Sequence, residues 1–291
     1  MFSLPNILTA SNLICGILAI LFSMMGRIDM APVFITAALL FDFLDGFLAR
    51  KMGISGELGK QLDSLADMVT FGVVPGVLCF ILLIINGGVE ITSLPESTIS
   101  SPYLYDSFGM SVHTIISFYF ADLTGNPIAS APFHFSGTTL YLPFIALLIP
   151  FFSLFRLAKF NLDTRQSDRF LGLPTPANTL FFMAIPLFLW DAWGETGWKV
   201  IIAELLIKPT VLISFIVLFS LLLVSEIPLI ALKFKHFSWK GNEFRYVLIL
   251  VSIVLFVLLS FRAIPIILFL YLILSITDNF FEKKRKHEIQ G

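Results

Sequence analysis

The sequence predicts an all-α polytopic membrane protein with about eight transmembrane helices. Three observations lead there. Of 291 residues, 57% are hydrophobic and only 13% charged, with a mean hydropathy of +0.91. An average soluble domain carries about 25% charged residues, so this chain has too little polar surface to cover a water-soluble globule. Second, apolar runs recur at close to the ~20 residues that a bilayer-crossing helix needs. Third, the basic residues divide unevenly between the two sides that such a topology creates.

The apolar runs lie near residues 5–25, 30–50, 59–86, 139–160, 174–193, 208–232, 245–260 and 263–281. The first carries no basic stretch ahead of it, so no cleavable signal peptide is expected. The second and third are joined by the short loop Lys51–Leu58 and are expected to be antiparallel neighbours. Pro186, Pro228 and Pro265 fall inside or at the starts of runs, which bilayer helices tolerate because neighbours can satisfy the freed carbonyls. The last two runs meet at a tight turn around Ser260–Arg262. Cys15 and Cys79 sit within apolar runs and read as small buried hydrophobes.

With eight spans, both termini share one side of the membrane. That side receives 15 of the 19 Lys and Arg, from Arg50, Lys51 and Lys60 through Arg156, Lys159 and Arg169 to the tail Lys283–Lys286. The other side receives Arg27, Lys199, Lys208 and Arg262. The basic side is expected to be the cytoplasm. The long opposite loop, 87–138, has no Lys or Arg but carries Glu90, Glu96, Asp106 and Asp122. Its segment 108–121 is short for a span and is expected at the interface or re-entrant. His113 and His134 match no metal spacing and read as ordinary loop residues. The net charge of −1 points to no nucleic-acid partner.

Against this background, four aspartates stand out. They occur as Asp42-x₂-Asp45-Gly46 on the second run and Asp63-x₃-Asp67 on the third. An ionised Asp at the centre of a bilayer helix costs roughly 2.5–3.5 kcal/mol on insertion scales. Spacings of three and four place each pair on one helical face. At 1.5 Å per residue, both pairs lie roughly 5–12 Å inside the cytoplasmic end, so the two faces can converge at one depth. Crowded carboxylates in a low dielectric need compensating charge. All-oxygen ligation without His or Cys favours a hard divalent ion, Mg²⁺, Mn²⁺ or Ca²⁺, and Mg²⁺ sites commonly add substrate phosphates to a few carboxylates. Two such ions can clamp a transferring phosphoryl group. Gly46, one turn from Asp42, would let a ligand approach the backbone. The plainer alternative is that the aspartates snorkel to water or pair with Arg50 and Lys60. An ion-coupled transporter is a different functional reading, but its sites usually lie near the midplane, whereas these acids crowd one end.

The full pattern Asp42-x₂-Asp45-Gly46-x₂-Ala49-Arg50-x₈-Gly59-x₃-Asp63-x₃-Asp67 matches the signature of the CDP-alcohol phosphatidyltransferases at every fixed position, and the chain resembles that family. The resemblance implies a bundle whose first six helices form the catalytic unit, usually homodimeric. It implies transfer of a phosphatidyl group from CDP-diacylglycerol to an alcohol, with release of CMP. It makes Asp42, Asp45, Asp63 and Asp67 ligands of Mg²⁺ or Mn²⁺, two ions being expected, and Asp67 also the general base. It places Gly46, Ala49 and Arg50 by the CDP moiety, with Asn6, Thr9 and Gly59 assigned to the same substrate.

Three further segments resemble the phosphatidylserine synthase subgroup. They are Pro5-Asn6-x₂-Thr9-x₂-Asn12-x₂-Cys15-Gly16, Phe155-Arg156-Leu-Ala-Lys159-Phe-Asn161 and Phe170-Leu-Gly172-Leu-Pro174-Thr-Pro176-Ala177. This implies L-serine as acceptor, phosphatidylserine as product, and a multi-pass enzyme of the cytoplasmic (inner) membrane with its active site on the cytoplasmic face. Arg156, Lys159 and Asn161 become the expected acceptor-binding residues, because guanidinium binds carboxylate as a bidentate fork. Glycerol 3-phosphate or an inositol phosphate is the alternative acceptor; the absence of Lys or Arg between Asp67 and Arg156 weighs toward an amino acid. The matching region covers roughly residues 1–180, which divides the chain into a catalytic part, 1–193, and a C-terminal part, 194–291, with the last helices and basic tail.

Overall fold

The computed structural model describes residues 3–53, 56–87, 112–131, 134–162, 169–192, 196–230, 238–239 and 242–290. It is almost wholly helical, as the composition requires. Helix α1 (Leu4–Met24) carries Pro5 in its first turn, where the missing N–H is no loss. Helix α2 (Ala31–Met52) follows a short 3₁₀ turn and packs along α1. It ends where Gly53 adopts φ +65°, a left-handed cap that returns its N–H to Arg50. The third predicted span is α3 (Glu57–Asp67) and α4 (Val74–Gly87), continuous but interrupted by a π-helical turn at Met68–Val73.

Helix α5 (Val112–Leu123) answers the segment expected at the interface. It packs on α4 through Val112, Ile115, Ile116 and Tyr119. The Tyr119 ring stands edge-on to Phe80 at 5.7 Å, and its hydroxyl donates to Leu140 O at 2.7 Å. Asp122 at its end receives the Phe135 N–H and faces His134 Nδ1 at 3.0 Å, so His134 is a loop residue that ties the loop back to α5. Residues 88–111, with Glu90, Glu96 and Asp106, lie outside the described residues. The next span runs from α6 (Thr138–Tyr141) through a 3₁₀ stretch to α7 (Leu148–Leu162).

Helix α8 (Thr175–Asp191) has ten of its residues inside the protein. Before it, strand β1 (Arg169–Leu171) pairs antiparallel with β2 (Pro228–Ile230). This corrects the sixth predicted span. Among the described residues of the apolar run 208–232, only α10 (Pro209–Val224) is helical, and Pro228–Ile230 is extended. The physical reason is local: Ser225 already has extended dihedrals, Pro228 cannot donate to a helical ladder, and Ile227 O instead accepts the Gly172 N–H. Ahead of α10, a separate helix α9 (Trp198–Ile207) meets it at a 62° bend.

Among the described residues, five helical stretches are long and apolar enough to cross a membrane, or six with the bent α9–α10 pair as one. One of them, Glu243–Phe281, is 39 residues long but folded in two. Helix α11 (Glu243–Leu259) and α12 (Ala263–Gln290) turn back at Ser260–Arg262, where Ser260 has φ +52°. Phe244 and Phe281, at opposite ends of the pair, have ring centroids 6.1 Å apart, which only an antiparallel hairpin allows. The main apolar cluster runs from Ala19 on α1 to Leu268 on α12, so it spans both halves of the chain, and a smaller one gathers Ile84, Ile115, Tyr119 and Phe135.

Candidate active site

The site is built on three helices. Along α1, Thr9 and Asn12 are buried at a three-residue spacing on the same face as Cys15, Gly16 and Ala19. That face meets the third span with almost no clearance: a Cβ on Gly16 would stand 2.5 Å from Thr70 Oγ1. Further along, a Cβ on Gly72 would come 3.1 Å from Ser153 Cβ of α7, and one on Gly76 would come 2.8 Å from Pro150 Cδ. Small residues therefore draw α1 and α7 against the third span, the usual way membrane helices approach closely.

The π turn starts at the residue after Asp67. Such turns leave backbone groups without their usual partners and often mark functional sites. Here Thr179 Oγ1 of α8 donates to Phe71 O at 2.8 Å, and Thr70 Oγ1 donates across to Asn12 O at 3.2 Å. Both contacts are fully buried and hold the turn between α1 and α8.

Asp42, Asp63 and Asp67 each offer a carboxylate oxygen to a group whose atoms all lie within 4.8 Å of one another. Asp45 is buried beside them and accepts a hydrogen bond from Thr9 Oγ1 at 2.5 Å. Asp67 Oδ1 accepts from Asn12 Nδ2 at 3.2 Å. Asp63 Oδ1 is buried without a hydrogen-bond partner. None of the four is ion-paired to a basic side chain among the described residues. Lys60 donates instead to Asn161 O at 2.9 Å, so the plain alternative of pairing with Arg50 and Lys60 is not what the acids do.

This donor set fits a hard divalent cation. Around Mg²⁺, with M–O near 2.0–2.1 Å, ligand oxygens lie roughly 3 Å apart when adjacent and about 4.2 Å when opposite. Three oxygens within 4.8 Å are thus nearly at ligating distance, and the orphaned Asp63 oxygen is the kind of buried acceptor that an ion satisfies.

Next to the cluster is a cavity of about 560 Å³ lined by Pro5, Asn6, Thr9, Asp45, Gly46, Ala49, Arg50, Gly56, Glu57, Gly59, Lys60 and Asp63. The six residues assigned from sequence to the nucleotide-lipid, Asn6, Thr9, Gly46, Ala49, Arg50 and Gly59, all face it. A Cβ on Gly46 would meet only the tip of Arg50, and one on Gly59 only Asn6 Oδ1, so both glycines leave open backbone on the cavity wall.

The expected acceptor residues are less closely gathered. Asn161 donates through Nδ2 to Ser64 Oγ at 2.7 Å, one position from Asp63. Arg156 is buried on α7, donates from Nε to Leu173 O at 3.2 Å, and lies 5.0 Å over the Phe160 ring. Lys159 pairs with the exposed Glu226 at 3.0 Å. Asn12 is the site residue that no role was assigned to from sequence; its place three positions after Thr9, in the same polar register, was the available signal.

Comparison with known proteins agrees with this geometry. Residues 2–94 match the family model for CDP-alcohol phosphatidyltransferase. The chain is 26% identical over 278 residues to a CDP-diacylglycerol–serine O-phosphatidyltransferase of Helicobacter pylori, covering 95% of this chain and 90% of that protein. It is 37% identical over 107 residues to the Bacillus subtilis protein of the same name, covering 37% of this chain and 56% of the relative. It is 43% identical over 81 residues to an archaetidylserine synthase of Methanothermobacter thermautotrophicus, covering 27% and 34%. The four acids and the polar cavity beside them lie within the residues that match the CDP-alcohol phosphatidyltransferase model, so the chain is similar to that family in its site geometry as well as in sequence.

Proposed function

We propose that this protein transfers the phosphatidyl group of CDP-diacylglycerol to L-serine, giving phosphatidylserine and CMP. The observation that carries the reading is the convergence of Asp42, Asp63 and Asp67 beside the cavity lined by Asn6, Thr9, Gly46, Ala49, Arg50 and Gly59. The match along nearly the whole chain to a relative named as a CDP-diacylglycerol–serine O-phosphatidyltransferase supports the acceptor.

The diphosphate and cytidine enter the cavity, with the diacylglycerol chains left in lipid. Gly46 and Gly59 let the headgroup lie against bare backbone, and Arg50 beside Gly46 supplies a cation to it. Thr9 holds Asp45, and Asn12 holds Asp67, so that each carboxylate keeps one orientation. Asp67 accepts the proton of the serine hydroxyl. The serine oxygen forms a bond to the phosphorus bearing diacylglycerol, the phosphorus–oxygen bond to CMP breaks, and CMP departs as the phosphate anion. Mg²⁺ or Mn²⁺, two ions in our reading, held by Asp42, Asp45, Asp63 and Asp67, would neutralise the diphosphate charge. Positioning and charge neutralisation supply most of the rate, as in other phosphoryl transfers. Arg156, with Asn161 near the acids, is the proposed anchor for the serine carboxylate; Lys159, engaged with Glu226, is a lesser candidate.

The proposal includes a cytoplasmic active site, cytoplasmic termini, a place in the inner membrane and a homodimer. Residues 1–193 carry the chemistry in this reading, and 194–291 buttress it. Incubating purified protein with CDP-diacylglycerol, Mn²⁺ or Mg²⁺ and labelled serine, glycerol 3-phosphate or inositol phosphate tests it. CMP release with labelled phosphatidylserine is expected. Product from another acceptor alone would reassign the alcohol, and no CMP with any of them would end the reading.

A further inference from the structure

We propose that the C-terminal helix α12, far outside the region matched by the family model, positions Arg156 for the acceptor through a continuous hydrogen-bonded path. Tyr271, Ser275 and Asn279 recur every four residues, which places them on one face of α12. All three grip strand β2. The Tyr271 hydroxyl donates to Ile230 O at 3.1 Å, Ser275 Oγ accepts the Ile230 N–H at 3.1 Å, and Asn279 Nδ2 donates to Pro228 O at 2.5 Å. A side-chain stripe thus takes the place of a neighbouring strand along one edge of β2. The other edge pairs with β1, with Ile230 opposite Arg169 and Pro228 opposite Leu171.

The path continues from β1 without a break. The Gly172 N–H donates to Ile227 O at 3.0 Å, and the Leu173 N–H to Leu222 O at 2.9 Å. Gly172 has φ +76°, and a Cβ there would stand 2.7 Å from Leu223 O and Ser225 O, so this crossing is closed to larger residues. The next carbonyl, Leu173 O, receives Arg156 Nε. Tyr271 also lies within electrostatic reach of Arg156 directly. One guanidinium edge is therefore committed to a carbonyl whose place depends on α12. Its Nη groups have no hydrogen bond to another described residue, and they are the pair suited to a carboxylate fork. A backbone strand in this setting needs every polar group satisfied, and the same contacts that satisfy it transmit the position of α12 to Arg156.

This inference rests on the reading of Arg156 as the acceptor anchor. The test is steady-state kinetics of the full-length purified protein with Tyr271→Phe, Ser275→Ala and Ser275→Thr, and with Ile273→Ala on the exposed face of α12 as control. Tyr271→Phe and Ser275→Ala are expected to raise KM for serine about tenfold, equivalent to about 1.4 kcal/mol, with KM for CDP-diacylglycerol within twofold. Ser275→Thr, which keeps the hydroxyl, restores the serine KM, and Ile273→Ala leaves both constants unchanged. A purely structural role would lower kcat and thermal stability together while leaving the ratio of the two KM values alone, and that result overturns the proposal. If the wild-type enzyme uses a different alcohol, the serine reading fails separately, and the same ratio measured with that alcohol still decides the role of α12.

Discussion

Asn12→Ala tests the geometry of the site at the point where sequence was least informative. Asn12 is fully buried and makes one contact to the acids, from Nδ2 to Asp67 Oδ1 at 3.2 Å. Hydrogen bonds to charged groups contribute about 1.5–3 kcal/mol, and 3.2 Å is at the long end of the N–H···O range, which puts this one near the lower figure. If the bond holds Asp67 in the orientation from which it takes the hydroxyl proton, losing ~1.5 kcal/mol from the transition state lowers kcat about tenfold. Asn12 does not line the cavity, whereas Asn6 and Thr9 on the same helix do, so KM for CDP-diacylglycerol should stay within twofold. Stability should fall little, because Asn12 Oδ1 is itself buried without a partner and its removal relieves that cost. The assay is CMP release at saturating substrates, beside a thermal unfolding midpoint. A kcat within twofold of wild type, with the midpoint unmoved, would refute the claim that Asn12 orients the base. A KM that rises while kcat holds would place Asn12 in substrate binding instead.

Three other outcomes follow from the same geometry. Asp67→Asn should lower turnover by about 10²–10⁴, the usual contribution of a general base, while CDP-diacylglycerol still binds in a direct binding assay. Gly16→Ala places a Cβ 2.5 Å from Thr70 Oγ1 and 3.0 Å from Thr70 Cα, so forcing α1 from the π turn should cost about 1–3 kcal/mol, read as a lowered unfolding midpoint in detergent, and turnover should fall with it. Chelation of divalent ions should abolish CMP release and lower the unfolding midpoint, with both restored by Mn²⁺ or Mg²⁺; retained turnover in excess chelator would contradict the cation site.

The helices and the acid pairs were legible because each rests on local spacing. Apolar runs of span length announce helices, and three- and four-residue intervals put Asp42 with Asp45 and Asp63 with Asp67 wherever those helices lie. The turn at Ser260–Arg262 was legible too, and it separates α11 from α12 in a stretch that length and composition alone would count as one span. What escaped was every feature in which an apolar run gives up regular helix for a distant partner. Residues 225–230 look helical by composition, yet Pro228–Ile230 joins β1, because the stripe on α12 and the Gly172 N–H offer hydrogen bonds from positions about 50 residues away on either side.

By itself, then, the sequence determined the membrane class and the two acidic faces with their signature. Only the tertiary structure decided that Asn12 and Thr9 of α1 hold two of the acids, that a π turn follows Asp67, and that Arg156 donates to the Leu173 carbonyl. The reason is physical. Spacing within a helix fixes which residues share a face, but which faces meet depends on how closely two helices approach, and here that rests on single glycines such as Gly16, Gly72 and Gly76 meeting Thr70, Ser153 and Pro150.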